Sequence, residues 1–472
     1  MKHSVCENPG AKIYTFPCNT STQSVQPAGN SVTPCITIAH DPMLLRKKID
    51  AVNNLGVCGE RRNIGIYSLV IDSRLIAPVA GGSESLGVKN AGHFGAGKSH
   101  TLERTLRLYP ENAYHQINGG SQKSLYTMGD SLKHKTLILT EGYALEARGK
   151  QDSEFACAMR NLLSEGCLHY QRPKKQGGNL IAETATVQGP ISLITTTIQG
   201  NLEKQLDDRM LTIHPDASAG QTQRVMMQKA KAAAGKIAPI DENALHAWRQ
   251  FHDSLEARDV IIPYAEDILS FFPDTGLPIA ARRSFTRLLS AIKAITILYQ
   301  SQRREDTGRL IADIADYAMA WQLVAEPVEK SLRPQGQCTD GRMAFITQSG
   351  VAPNKALAEK FGISNAALSQ WLKLKMDNGK LVWCNAQGEA FADIEALTRA
   401  KHTGNAYIRC INAVHLPSPC ELTHDPSWNR DGENYNRYDL RLDADGPVES
   451  PGTLGGYHPQ AFEGQPDNPT IH

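Results

Sequence analysis

The sequence is poor in the features that mark secreted, membrane-bound or metal-built proteins. Its ten cysteines, at positions 6, 18, 35, 58, 157, 167, 338, 384, 410 and 420, include no CxxC pair. Neither a disulfide framework nor a zinc ribbon is therefore expected, and reduced, mostly buried thiols are. The nearest approach to a metal cluster is His402, Cys410, His415, Cys420 and His424, whose gaps match no familiar finger. No apolar run reaches the length of a membrane span, and the first residues lack the uninterrupted hydrophobic segment of a signal peptide. The expected location is the cytoplasm, with no membrane partner. A dominant charge is also missing: the formal net charge is +1, so no global field selects nucleic acid and any basic site must be local. The end of the chain differs, with ten acidic residues against three arginines between Glu421 and His472.

With 472 residues, of which 41% are hydrophobic and 21% charged, the chain is long enough for roughly two to four domains with real cores. Residues 1–40, rich in Ser, Thr, Pro, Asn and Gly, read as a flexible leader. In residues 41–84, Leu44, Leu45, Ile49 and Val52 share one helical face, predicting a helical preamble. Between 85 and 238, the β-type runs AYHQI, TLILT and ISLITTTI alternate with helical stretches, the pattern of an α/β layered domain. Residues 239–335 are helical in pattern, with Phe285, Leu288, Leu289, Ile292, Ile295 and Leu298 forming one long stripe. Residues 338–400 read as two helices around a Gly362 turn followed by a short strand, a helix-turn-helix with a wing. Pro, Gly, Asp and Asn dominate late in 401–472, predicting a loosely ordered acidic tail.

GHFGAGKS, residues 92–99, matches G-x-x-x-x-G-K-[ST] in full and is followed by the helical run HTLERTL. Glycines at such positions let backbone N–H groups turn toward a phosphate, a lysine reaches the β and γ oxygens, and the hydroxyl ligates Mg²⁺. Gly92, Gly95, Ala96, Gly97, Lys98, Ser99 and His100 are therefore the expected binding set for ATP, with Ser99 on the metal. The strand that should precede the loop, SLGVKNA, is short and only mildly β-forming. KTLILTEGYAL supplies an apolar strand ending in Glu141, the expected polariser of the attacking water. Thr140 stands where an acid that helps hold the metal is usual.

Beyond Glu141, FACAMRNLLSEGCLHYQRPKKQGGNLIAETATVQGPISLITTT reads as a helix, two β-like arms around PKKQGG, and a buried strand ending in threonines. LEKQLDDRMLTI then puts Arg209 just before an apolar strand. With GVCGERRNIGIYSLVIDSRL and GGSQKSLYTMGDSLKHKTLILTE, this order resembles the AAA+ helicases that carry a β-hairpin before sensor 1. That group includes the minichromosome maintenance helicases, and the resemblance is closer still to helicase-like ATPases of bacterial mobile elements, phages and primase-associated operons. It covers residues 41 to 397. It implies an α/β P-loop AAA+ core, with a parallel sheet and inserted hairpin, then a helical lid and a C-terminal winged helix. It further implies that Thr196, within Thr195–Thr197, reads the γ-phosphate. Arg209 would serve as an arginine finger reaching a neighbour's nucleotide, and Arg282 or Arg283 as sensor 2. A homo-oligomeric ring, a hexamer, follows, with Lys174 and Lys175 at the hairpin turn facing single-stranded DNA in its channel. Priming would fall to a separate primase, because no primase or zinc-finger domain is attached.

In the third unit Lys373 and Lys375 are candidate DNA contacts, which need only charge if binding is nonspecific. The leading reading is an ATP-dependent DNA helicase or translocase acting in replication of a mobile element or phage. An ATP-gated DNA-binding regulator with a winged helix and no unwinding is the alternative, and it predicts binding at one defined site. A P-loop phosphotransferase is weaker, because the hairpin, the helical region and the third unit would have no use there.

Overall fold

The computed structural model of the chain describes residues 34–78, 82–117, 128–140, 154–176, 179–197, 202–237, 239–272, 277, 279–332, 341–349, 351–377, 381–386, 391, 394–410 and 416–444. Helices α1 (Pro34–Ala39), α2 (Leu44–Asn54) and α3 (Arg61–Asp72) come first. Strand β1 (Gly87–Ala91), helix α4 (Lys98–Leu106), strands β2 (Tyr114–Ile117) and β3 (Lys135–Leu139) and helix α5 (Glu154–Glu165) follow. A hairpin of β4 (Cys167–Gln176) and β5 (Asn179–Gln188) leads into β6 (Ile191–Thr197), α6 (Lys204–Asp207), β7 (Met210–Ile213) and α7 (Ala219–Ala233). Strands β2, β3, β6, β1 and β7 pair in that order into one sheet, every pair parallel.

The alternation of apolar residues explains why this sheet is buried on both faces. Ile138, Ile194, Val88, Leu211 and Ile213 join one apolar cluster with Leu102 and Leu106 of α4. Their neighbours Leu137, Leu139, Leu193 and Met210 turn the other way, onto Phe155, Met159 and Leu162 of α5 and Leu206 of α6. The protein is thus α/β, with helices on both faces of a parallel sheet.

Next come α8 (Glu242–Asp253), β8 (Val260–Ile261), α9 (Ala265–Ser270), α10 (Ala280–Leu298), β9 (Glu305–Asp306), β10 (Arg309–Ile311) and α11 (Ile314–Leu332), with β8, β10 and β9 forming a small sheet. Leu288, Ile292, Ile295 and Leu298 of the α10 stripe are at most 2% exposed. The expected boundaries near 84 and 239 do not separate cores. Ile49, Ile64, Ile292, Leu323 and one sheet face belong to the same cluster. The cause lies in α3, which is buried on nearly every side and packs against the sheet, α10 and α11. A Cβ on Gly65 would stand 2.5 Å from Leu323 Cδ2, so a larger residue there would require the Leu323 side chain to move.

A third unit has its own core, built on Ile346, Leu357, Leu368, Leu372, Leu381 and Ile408. It contains α12 (Gly341–Ser349), β11 (Val351–Pro353), α13 (Asn354–Phe361), α14 (Asn365–Asp377), β12 (Leu381–Cys384), α15 (Ile394–Thr403) and β13 (Tyr407–Cys410). Strand β13 lies past the expected end at residue 400 and pairs antiparallel with both β11 and β12. The unit therefore needs residues that composition assigned to the tail.

Residues 416–444, with α16 (Pro419–Thr423) and α17 (Glu433–Tyr438), are packed where a loosely ordered acidic tail was expected. Leu416 and Leu440 are each 1% exposed. Trp321 Nε1 donates to Leu416 O at 3.2 Å, and Arg61 donates to Arg441 O at 2.7 Å and Leu440 O at 3.1 Å. A few apolar anchors and backbone carbonyls hold this segment, and net composition does not register them. Among the described residues no helix is long and apolar enough to cross a membrane.

One buried polar cluster ties the N-terminal helices to α8. Lys48 Nζ donates to Asp72 Oδ2 at 2.8 Å and to the Tyr109 hydroxyl at 2.5 Å. His252 stacks on Tyr109 with ring centroids 4.0 Å apart, its Nδ1 3.6 Å from Asp72 Oδ1. Burial, then the Lys48 and Arg74 charges, hold the His252 imidazole well below its ordinary pKa. The unfolded chain takes up a proton near the ordinary histidine pKa of 6.5 that the folded chain refuses, so stability falls as pH drops below that value. This residue contributes a slope of up to about 1.4 kcal/mol per pH unit. Urea unfolding between neutral and mildly acidic pH should show a shallower loss for His252→Phe, and identical slopes would refute the assignment.

Candidate nucleotide-binding site

Strand β1 ends at Ala91, α4 begins at Lys98, and residues 92–97 make the turn between them. Gly95 and Gly97 adopt φ of 76° and 86°, the left-handed region that side chains resist. At Gly92 a Cβ would lie 2.7 Å from the ring of Pro215, just after β7. The backbone can make this loop only with glycine at these points, so the residues present fit a phosphate cradle. Lys98 Nζ donates to the carbonyls of Gly92 and His93, at 2.5 and 2.9 Å, which folds its charge over the loop. Burial lowers its pKa. Ser99, in the first turn of α4, is exposed.

Pairing of β6 with β1 brings a second group to the loop. Asn90 is in register with Thr196 and Ala91 with Thr197, and Gly92 N donates to Thr197 O at 3.1 Å. Thr196 and Thr197 line the same cavity as the loop. Thr195 does not, because its hydroxyl donates to Leu139 O at 3.1 Å. Strand β3 runs beside β6 and ends at Leu139; Thr140 is half-buried, and Glu141 lies outside the described residues.

The cavity measures about 1330 Å³. One wall is the loop with Lys98, Ser99, His100 and Arg104 of α4; the others are the α2–α3 turn, from Asn54 to Glu60, and α7. His100 bridges two walls through a hydrogen bond to the backbone of Gly56, and burial followed by Arg104 lowers its pKa. Leu55, Val57, Val225, Ile237 and Ile240 add apolar side chains to its lining.

Two carboxylates here have no role in the expectations from sequence. Glu60 holds a left-handed φ of 53°, and its carboxylate accepts from Asp216 N at 2.7 Å and from Asn63 Nδ2 at 2.5 Å. Burial raises its pKa. Asp216 is lowered by the Ser218 backbone and hydroxyl donors. Both line the cavity. Glu60 lies within the GVCGERRN stretch that supported the family resemblance, and that was its only signal.

The arginines lie elsewhere. Register pairs Gly87 with Met210, so Arg209 sits at the end of the strands where β1 begins, the length of a five-residue strand, roughly 15 Å, from the loop. It donates to Ser164 Oγ at 2.6 Å and Gln205 O at 2.5 Å. Arg283 pairs with Asp208 at 3.4 Å, and its charge helps to depress the Arg209 pKa after burial. Arg283 is thus a neighbour of Arg209 and is not among the residues that line the cavity of the loop. The reason is that α10 packs on α3 and the start of β7. Arg282 is exposed in the same first turn of α10.

Lys174 and Lys175 are strand residues paired with Ile181 and Leu180, one or two rungs short of the turn at which they were expected. Pairing over ten rungs makes the arm roughly 30 Å long. In α14, Lys373 is exposed and Lys375 Nζ lies 5.5 Å from the Trp371 ring. Among the described residues no three His, Cys, Asp or Glu side chains gather as a metal site.

No protein-family model matches the sequence, and no curated protein matches it.

Replacing Gly97 with Ala forces a Cβ into left-handed backbone. Chemical denaturation should show a loss of about 1–2 kcal/mol or, if the loop relaxes, weaker nucleotide binding at unchanged stability; loss of neither would refute this loop geometry.

Proposed function

We propose that the chain is an ATP-hydrolysing motor of the AAA+ helicase type that moves on single-stranded DNA as a ring, in replication of a mobile element or phage. One observation carries the reading. Strand β6 lies between β1 and β3, so a threonine tip sits beside the phosphate loop, whereas Arg209 and Arg283 lie at the opposite edge of the sheet. A site divided in this way is completed by a second subunit stacked head to tail. In this reading α8–α11 serve as the lid and the third unit as a winged helix.

Within one subunit, Gly95, Ala96 and Gly97 present backbone donors to the phosphates and Lys98 supplies charge. Ser99 and water hold Mg²⁺, with Thr140 in place of a further acid. Bound ATP supplies a phosphoanhydride whose hydrolysis releases free energy. Glu141 orients the attacking water, and Thr196 reads the terminal phosphate. The apolar side chains of the cavity accept the base, which α7 and the α2–α3 turn enclose. Arg209 of the adjacent subunit stabilises the charge that develops on the transferred group, with Arg283 beside it. The β4–β5 arm carries Lys174 and Lys175 toward DNA.

Single-stranded DNA should accelerate ATP hydrolysis, and Lys98→Ala should lower the rate by about two orders of magnitude or more. Binding at one defined duplex site that survives Lys98→Ala, with no strand displacement, would favour the gated regulator instead. Subunit mixing tests the divided site. Lys98→Ala and Arg209→Ala proteins are each inactive alone, and equal mixtures regain about a quarter of wild-type activity, because a quarter of head-to-tail pairs combine an intact loop with an intact arginine. No recovery on mixing would place Arg209 outside the neighbour's site.

A further inference from the structure

The third unit carries a groove that neither the helix-turn-helix pattern nor the ATPase site uses. It has a volume of about 830 Å³ and is lined by Arg342 and Phe345 of α12, Lys360 and Phe361 of α13, and Trp371 and Lys375 of α14. This lies within the range of about 300–1,000 Å³ typical of ligand sites. Phe345 and Phe361 meet edge to face at 5.8 Å, and Phe361 and Trp371 at 6.0 Å, so three half-buried rings form one contiguous aromatic cluster along the groove, with their planes turned against one another. The cations stand over these rings: Arg342 is 5.8 Å and Lys375 5.5 Å from the Trp371 centroid, and Lys360 5.3 Å from that of Phe345. None of the described residues lining the groove is a carboxylate.

We propose that this groove binds a segment of single-stranded DNA, with unpaired bases on the aromatic cluster and phosphates on Arg342, Lys360 and Lys375. Charge and ring chemistry together select the occupant. An apolar peptide or lipid tail could use the rings but offers no anion to the cations. A duplex keeps its base faces stacked inside and could use the cations but not the rings. A single strand offers both a phosphate chain and free base faces, and stacking tolerates any sequence. The groove is formed where three helices meet, whereas Ser369, Gln370 and Lys373 on the exposed side of α14 are the residues that would enter a duplex. The choice of DNA over RNA rests on the proposed function; the chemistry of the groove does not.

The test uses the full chain carrying Lys98→Ala, Lys174→Ala and Lys175→Ala, without nucleotide, so that neither hydrolysis nor the hairpin contributes. Fluorescein-labelled oligodeoxythymidylate of about twenty nucleotides should raise anisotropy on binding. Adding Lys360→Glu, at an exposed position, together with Arg342→Glu should weaken binding about ten- to a hundredfold, while Trp371→Phe, which keeps a ring, should stay within about threefold of the background protein. A 5-bromodeoxyuridine oligonucleotide should crosslink on irradiation to peptides from α12 or α14. Absence of binding in this background, insensitivity to Lys360→Glu, crosslinks confined to other segments, or equal competition by blunt duplex would each overturn the groove as the site. Absence of DNA-stimulated hydrolysis in the unsubstituted chain would count against the motor and leave the groove standing.

Discussion

The arrangement depends on one parallel pairing, that of β1 with β6. Strand β1 is a poor β sequence, GVKNA, placed near the centre of a sheet buried on both faces. Two of its five residues are polar, and each finds a partner. Asn90 Nδ2 donates to the buried Tyr67 hydroxyl at 2.7 Å on the α3 side, and Lys89 pairs with Asp207 of α6 at 2.5 Å on the other. Unpaired, either group would oppose burial by several kcal/mol on the order given by transfer data. These two contacts tie β1, and with it the start of the loop, to α3 on one face and α6 on the other.

From this pairing follows the division of the molecule into two functional edges. Parallel register carries every strand in one direction, so all that follows a strand gathers at one edge and all that precedes it at the other. The phosphate loop, the threonine tip, Thr140, Pro215 and Asp216 follow strands. Arg209 precedes one, and the salt bridge from Asp208 draws Arg283 to it. The loop and the threonine tip thus stand at one end of the strands and the two arginines at the other, and the proposed head-to-tail neighbour is what would bring them together.

The helices before β1 and after β7 act as one body. Lys48 on α2, Asp72 on α3, Tyr109 beyond α4 and His252 on α8 meet in a fully buried polar cluster. The helix that carries Lys48 ends at the turn lining the nucleotide cavity, and α4, whose end leads to Tyr109, begins at the loop. Separating Lys48 from Asp72 would leave a charge without a partner in the interior, at about 3–5 kcal/mol. The cluster therefore links α2 and the residues after α4, which lead from the cavity, to α8 of the helical region.

What the sequence determined by itself was local: the glycine spacing of residues 92–99 with its following helix, the short β-type runs of β3 and β6, the two hairpin arms and the apolar stripe of α10. Each depends on residues a few positions apart, whose backbone preferences and faces can be read directly. Proximity between distant segments was decided only by the tertiary structure. Glu60 and Asp216 share a cavity because α3 docks beside β7. Arg283 stands with Arg209 because α10 crosses the start of that strand. Residues 416–444 are held by Arg61, which donates to the carbonyls of Leu440 and Arg441, and by two buried leucines. The aromatic groove exists because three helices converge on Trp371. A spacing rule sees one element at a time, and these contacts join residues separated by tens to hundreds of positions, where burial and pairing, not local propensity, set the outcome.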